Sequence, residues 1–252
     1  MKEKLVIFKN EKGERLWGIL TFPEEKGKYP GMIICHGFAA TKSRRKYVEL
    51  ARTLAKVGIS SLRFDFSGHG DSEGKIEDLS IEKQAEEINS AYQRLIRNPK
   101  IAREKIGILG HSLGALAAVL FQVKYRKAKA LILVAPAIDQ KNLIKKWYTK
   151  EQIRLWKKQG YLDTPKGRVG IKYLQDTEKD YLECLGRIDV PTLIIQGRED
   201  EDVPMEYTKE VFERLRYKKK LIIVENVEHH FESKKGIEAL ISNSLNWLKE
   251  NL

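Results

Sequence analysis

The sequence predicts an α/β protein: a mostly parallel sheet flanked by helices, with a helical insertion over one end. Three observations carry this. Short apolar runs alternate with helix-like stretches of ten or more residues between residues 30 and 136 and again after 190, the mark of βαβ units. Two β-rich runs around a short glycine-containing turn open the chain, which implies antiparallel strands at one edge. Residues 138–187 break the alternation and are too many for a plain connection.

Taken in order, KLVIFKN (4–10) and RLWGILTF (15–22) form the opening hairpin, and PGMIICHG (30–37) is a short apolar run suited to a strand buried on both faces. YVELARTLAKVG (47–58) has helical spacing and stops at Gly58; ISSLRFDF (59–66) reads as a strand. SIEKQAEEINSAYQRLIRN (80–98) opens on a Ser cap with Glu82 following and ends before Pro99, as a helix should. KIGILG (105–110) is a strand, SLGALAAVLFQVKYR (112–126) an apolar helix and ALILVAP (130–136) the next strand. The interrupting segment holds several Trp and Tyr, many Lys and the turn TPKG (164–167), with no clear strand. After it come VPTLIIQG (190–197), a helix over 205–216, the strand KLIIVE (220–225) and an amphipathic helix over about 234–250. The expected division is a core of 1–137 and 188–252 and a helical cap of 138–187. In open parallel sheets ligands bind at the C-terminal strand ends, so an insertion there would cap a substrate pocket.

A chain of 252 residues, 42% of them hydrophobic, suits one domain with an insertion. The formal charge is +12, but Lys and Arg are scattered. The densest clusters, KSRRK (42–46) and YKKK (217–220), are short. With no accompanying motif the charge reads as a solvated basic surface, not a specific nucleic-acid site. The 33% charged content, rich in Lys and Glu, resembles thermophile surfaces and solvated helices alike. Cys35 and Cys184 stand far apart, neither a disulfide framework nor a metal spacing. The N-terminus has an apolar run too short for a signal peptide, and no segment reaches 18 apolar residues. These features lead to an expectation of a cytoplasmic protein with no membrane span.

Chemistry gathers at GHSLG (110–114), where a strand meets a helix. This fits G-x-S-x-G, a sharp turn that lifts the Ser112 hydroxyl clear of the sheet and points a helix N-terminus at charge formed there. The bland alternative is a helix-capping serine, which requires no partners elsewhere. Catalysis does: a base, and a carboxylate to orient it. The five histidines are His36, His69, His111, His229 and His230. In this architecture the order is Ser, acid, His, and only His229 and His230 follow Ser112. The acid should lie in the loop after LIIQG, where Glu199, Asp200 and Asp202 are candidates. The backbone N–H of Leu113, directly after the serine, would be one oxyanion donor. His36, Asp65, His69 and His111 are expected to support loops by hydrogen bonding.

Five motifs in order, HGF (36–38), RFDFSGHGDSEG (63–74), GHSLG (110–114), GREDEDVP (197–204) and NVEHHF (226–231), span nearly the whole chain. Together they resemble the α/β-hydrolases, most of all the small serine esterases of the cinnamoyl/feruloyl esterase and monoacylglycerol lipase group. The resemblance implies an eight-stranded α/β-hydrolase sheet. It selects Asp200 as the acid and His229 as the base over His230, with Asn226 standing where the family usually has glycine. It also implies Phe38 as the second oxyanion N–H, with a side chain free to line the pocket. The implied activity is hydrolysis of small to medium carboxylic esters, hydroxycinnamoyl esters included, through an acyl-enzyme on Ser112. Monoacylglycerol lipase and thioesterase are the alternatives. Peptidases of the acyl-peptide hydrolase kind usually carry a large additional β domain that does not fit this length, and non-catalytic binding relatives typically lose a triad member, whereas this chain keeps Ser, Asp and His in order. No cofactor or metal is required, and the family often forms homodimers. Trp147, Tyr148, Trp156, Tyr161 and Tyr173 give the cap an aromatic character. Trp147, Trp156 and Tyr161 with Phe38 are candidates for lining a substrate pocket, against the alternative that they pack the cap's own core.

Overall fold

A computed structural model describes residues 1–24 and 27–252. The main sheet comprises β1 (Lys2–Lys9), β2 (Arg15–Phe22), β3 (Tyr29–Cys35), β4 (Ser60–Phe64), β5 (Ile101–His111), β6 (Ala130–Val134), β9 (Thr192–Gly197) and β10 (Lys219–Val224). Their spatial order is β1-β2-β4-β3-β5-β6-β9-β10. The pairs β1–β2 and β2–β4 are antiparallel and the rest parallel. From β3 the chain moves outward to β4, then returns to place β5 on the other side of β3. That reversal opens a crevice beyond the C-terminal ends of β3 and β5.

Successive residues of the central strands serve opposite faces. Ile33, Ile108, Leu131 and Leu133 pack under α2 (Ile81–Ile96), α3 (Leu113–Tyr125) and α7 (Met205–Arg214). Met32, Ile34, Leu109 and Ile132 pack under α1 (Arg45–Lys56) and α8 (Lys234–Asn251). Both faces being covered explains why these strands read as continuous apolar runs. Each fully buried aliphatic side chain contributes about 1.5–3 kcal/mol. No helix among the described residues is long and apolar enough to cross a membrane.

Residues 138–187 carry α4 (Gln140–Trp147), α5 (Lys150–Gln159) and α6 (Ile171–Thr177). They also carry an antiparallel hairpin, β7 (Tyr161–Thr164) with β8 (Gly167–Gly170), which corrects the expectation of a segment without strands. Four-residue strands are too short to show a period. The local signals are Gly160, left-handed at φ 85° to end α5, and Gly167 at φ 117° closing the turn. Trp156 is fully buried here, against Tyr148 (ring centroids 5.4 Å) and Tyr173 (6.1 Å). The segment is tied down through buried Asp176, which accepts from Ser80 Oγ (2.8 Å), Ile81 N (3.0 Å), Lys172 Nζ (3.0 Å) and Lys179 Nζ (3.1 Å). Burial raises the Asp176 pKa, but these hydrogen bonds outweigh it and hold the carboxyl below its usual range.

The loop after β3 rests on buried polar groups. Asp65 accepts from Lys42 N (2.6 Å), Lys42 Nζ (2.5 Å) and Asp71 N (3.0 Å). His36 Nδ1–H donates to the Gly37 carbonyl (2.7 Å), and its Nε2 accepts from Phe66 N–H (3.0 Å). Burial first, then the neighbouring His69, pushes the His36 pKa down to about 3.

Two predictions follow from this scaffold. Trp156→Ala should cost about 3–5 kcal/mol in urea denaturation, as for other large aromatics removed from a packed site; a loss under 1 kcal/mol would mean that Trp156 is not a packing anchor. His36 binds fewer protons folded than unfolded between pH 3 and about 6.5, so its contribution to stability is intact above that window and is lost as pH falls through it. At pH 5 its share of the loss should be about 2 kcal/mol. His36→Asn should flatten the pH 7 to pH 5 stability difference by that amount, and an unchanged difference would contradict the neutral buried state.

Candidate active site

The crevice between β3 and β5 is where Ser112 sits. Its backbone, at φ 55° and ψ −118°, lies in a region costing about 1–3 kcal/mol for a residue with a Cβ. Sterics force and hold it. A Cβ on Gly110 would lie 2.3 Å from the Gly114 carbonyl oxygen, and one on Gly114 would lie 2.4 Å from that of His36. Ser112 N–H also donates to the Val134 carbonyl (2.8 Å), and Ala137 N–H to the Ser112 carbonyl (3.3 Å). The turn is thus locked to the end of β6.

The loops after β9 and β10 bring the partners. Ser112 Oγ lies 3.0 Å from His229 Nε2, and His229 Nδ1 lies 2.8 Å from Asp200 Oδ2. All three residues are buried. An ionised carboxylate can only accept, so Nδ1 carries the proton and Nε2 presents its lone pair to the hydroxyl. Asp200 is oriented in turn by Gln196 Nε2 (2.9 Å) and Val203 N–H (2.8 Å), and Gln196 by Thr208 Oγ1 (2.7 Å). Of the other acids, Glu199 accepts from Val227 N–H (2.7 Å), pinning the two loops together, and Asp202 is exposed. His230 is exposed beside it. Asn226 takes φ 57°, a left-handed conformation that Asn tolerates, so the loop keeps the turn expected of glycine.

The histidine loop is gripped from beneath. His111 Nε2–H donates to the His229 carbonyl (2.9 Å), and Lys46 Nζ donates to the His230 carbonyl. Burial, then the positive charge of Lys46, keeps His111 neutral with its pKa well below the usual value. Burial lowers the Lys46 pKa to about 8. Lys42 and Lys46, the two ends of KSRRK, are therefore buried, which corrects the reading of that cluster as solvated surface. The missed signal is spacing: Lys46 falls four residues before Leu50, on the apolar face of α1. Gln196 was likewise missed, though a polar residue inside an apolar strand run is a usable sign.

Leu113 begins α3, so its N–H has no intrahelical partner. The Phe38 N–H makes no backbone hydrogen bond outside regular elements among the described residues. Both residues border, with Ser112 and His229, a cavity of about 600 Å³. Its other walls come from Trp147, Tyr148, Gln152, Lys166 and Tyr173. Phe38 and Trp147 line it. Trp156 and Tyr161 do not: Trp156 is buried in the cap's packing, and Tyr161 lies under the Arg168 guanidinium at 3.8 Å. Tyr173 reaches the cavity instead, stacked on Phe38 with centroids 6.3 Å apart and planes 4° from parallel. A hydroxyl beside an imidazole lone pair, a carboxylate behind it and free N–H groups at a helix start is equipment for acyl transfer.

Comparison with known proteins places the chain in a family and a fold. Residues 30–164 match the Hydrolase_4 family, described as serine aminopeptidase, S33. The bovine mitochondrial palmitoyl-protein thioesterase ABHD10 (Bos taurus) is 25% identical over 238 residues, covering 88% of this chain and 74% of the relative. The structure of Est1E from Butyrivibrio proteoclasticus with ferulic acid bound has a TM-score of 0.84 at 25% identity, covering 97% of this chain and 99% of that one. Mouse alpha/beta hydrolase domain-containing protein 10 shares the fold, with a TM-score of 0.81 at 21% identity over 98% and 99% of the two chains. With a family match across more than half its length, the chain belongs to the Hydrolase_4 (serine aminopeptidase, S33) family and is an α/β-hydrolase of the serine hydrolase kind.

Proposed function

We propose that this protein is a serine esterase that cleaves small to medium carboxylic esters through an acyl-enzyme on Ser112. The observation that carries the reading is the unbroken relay from Asp200 through His229 to Ser112, opening into a cavity of about 600 Å³. Ser112 Oγ attacks the ester carbonyl as His229 Nε2 takes its proton, and Asp200 stabilises the imidazolium. The N–H groups of Phe38 and Leu113 receive the oxyanion, each worth roughly 3 kcal/mol. Collapse expels the alcohol, protonated by His229. Water, giving its proton to the same imidazole, then attacks the acyl-enzyme, and the carboxylic acid leaves as Ser112 is regenerated.

The cavity's aromatic lining, Phe38, Trp147, Tyr148 and Tyr173, suits an apolar or aryl acyl group. The Est1E likeness supports hydroxycinnamoyl esters among the substrates. The 25% identity to a palmitoyl-protein thioesterase favours a second reading, thioester hydrolysis. The same relay serves both, because a thiolate leaves more readily than an alkoxide and asks less of the imidazolium. The two readings separate on substrate, not on mechanism.

Ser112→Ala should lower turnover by about 10⁵- to 10⁶-fold with the fold intact, and covalent labelling by a fluorophosphonate should vanish with it. A loss below tenfold in purified protein would take Ser112 out of the mechanism, and an unlabelled wild type would point to a binding protein. Across p-nitrophenyl esters of rising chain length, methyl ferulate, monoacylglycerols, S-acyl thioesters and amino-acid p-nitroanilides, kcat/KM should be highest for an oxygen ester. A thioester preferred tenfold or more would install the second reading, and a preferred anilide would make the protein a peptidase.

A further inference from the structure

The relay leaves two side chains beside it without a task. His230 and Asp202 are exposed at the cavity edge, with His230 Nε2 4.0 Å from Asp202 Oδ2. A donor atom from each of Asp202, His229 and His230 lies within 4.8 Å of the other two. The His229 and His230 rings approach to 5.2 Å between centroids. We infer that Asp202, His229 and His230 form a binding site for a zinc-class divalent cation, and that its occupancy reversibly shuts the hydrolase off. The inhibitory half rests on the function proposed above; the binding half does not.

The donor chemistry selects the ion. Two imidazoles and one carboxylate suit borderline cations such as Zn²⁺, Co²⁺ and Ni²⁺, while Mg²⁺ and Ca²⁺ want oxygen alone. His229 is already prepared as a ligand. Its Nδ1–H is held by Asp200 at 2.8 Å, the carboxylate–histidine pairing that orients imidazoles toward metals and raises their basicity. The lone pair so exposed on Nε2 is the one the hydrolytic reaction needs. A cation that takes it leaves Ser112 without a base, and the fourth tetrahedral position falls to water or to Ser112 Oγ, which is 3.0 Å from Nε2.

Tetrahedral zinc at bond lengths near 2.0–2.1 Å needs donors about 3.3 Å apart, so donors within 4.8 Å of one another must contract by at most about 1.5 Å. The exposed side chains of Asp202 and His230 are free to swing inward, while Lys46 holds the His230 carbonyl in place. Glu201 at the same edge adds negative charge, and Lys146 and Lys166 across the cavity oppose it. Competing imidazoles are absent: His36, His69 and His111 are buried in loop supports. Of the two free thiols among the described residues, Cys35 is fully buried, which leaves the partly buried Cys184 as the one to control for.

The test begins with binding. Metal-free protein is titrated with Co²⁺, read by its visible absorption, and with Zn²⁺, read by calorimetry. One tight site is expected in the wild type and in Ser112→Ala, weakened at least tenfold in His230→Ala and in Asp202→Asn, and unchanged in Cys184→Ser. Hydrolysis of p-nitrophenyl butyrate is then followed against buffered free Zn²⁺. Inhibition should be relieved by chelator, and its midpoint should rise at least tenfold in His230→Ala and Asp202→Asn, each scored against its own metal-free rate. Midpoints equal in all variants, or a wild type that hydrolyses ester and binds no metal at this site, would overturn the inference. A protein that binds Co²⁺ through His230 yet hydrolyses nothing would sink the proposed function and leave the metal site standing.

Discussion

Everything at this site depends on one strained residue. Ser112 can hold φ 55° and ψ −118° only because strand β5 and helix α3 meet with no side chain on either flank. With a Cβ at Gly110 or Gly114, backbone atoms would overlap within 2.3–2.4 Å, and neither β5, α3 nor the loop after β3 could move aside without unpairing the central strands. The strain of about 1–3 kcal/mol is borne by the best-packed part of the molecule, where α3 and β5 are almost wholly buried. One contact therefore sets three things at once: the height of the hydroxyl, the direction of the α3 N-terminus and the distance to the Phe38 loop.

His229 is positioned by a different principle, since it sits on a loop. Loops hold geometry only when their polar backbone is answered. Here the acid and histidine loops answer each other through Arg198 N–H to the Val224 carbonyl (2.9 Å) and Glu199 N–H to the Val227 carbonyl (3.1 Å). From below, His111 and Lys46 take two consecutive carbonyls. This support has a cost. Moving the Lys46 pKa from its usual 10.5 to about 8 corresponds to about 3 kcal/mol against the charged form. That cost applies fully below pH 8 and is relieved as pH rises toward 10.5. A buried ammonium under a loop carbonyl is a poor choice for stability and a good one for fixing a loop, which is the usual trade at sites that do chemistry.

How much of this was legible follows from how local each signal is. The parallel sheet, the elbow and Ser112 are written in contiguous stretches, so period and punctuation reveal them. Spacing alone left Glu199, Asp200 and Asp202 open, and His229 against His230, because three acids and two histidines sit in two short loops. Only the resemblance narrowed them to Asp200 and His229, the pair that approaches to 2.8 Å. Lys46 was hidden because charge clusters are counted along the chain, whereas its burial follows from helical phase. Trp156 and Tyr161 were indistinguishable from Trp147 by composition, since whether an aromatic faces a cavity or a helix is decided by tertiary packing. The β7–β8 hairpin is too short to carry any period.

The attachments of residues 138–187 argue that the cavity walls are fixed. If α6 swung as a lid, its anchors would have to break with it. Asp176 is fully buried with four donors, two of them at the start of α2. A Cβ on Gly170 would lie 2.3 Å from the Glu77 carbonyl oxygen, so β8 lies hard against the body of the protein. Opening there would break the hydrogen bonds that Ser80 Oγ and Ile81 N–H give to Asp176, each worth about 1.5–3 kcal/mol because the acceptor is charged. Tyr173 of α6 meanwhile stacks on Phe38, which borders the same cavity as Ser112. Two walls of the cavity are thereby packed against each other. The remaining wall, α4, touches the loop after β9 through Trp147 Nε1–H to the Asp202 carbonyl (2.9 Å) and through Leu143 and Trp147 packed with Val203. Moving that wall would also expose the buried Leu143 and Val203, at about 25 cal/mol per Å² of apolar surface uncovered, so both walls are held by buried contacts in addition to surface bonds.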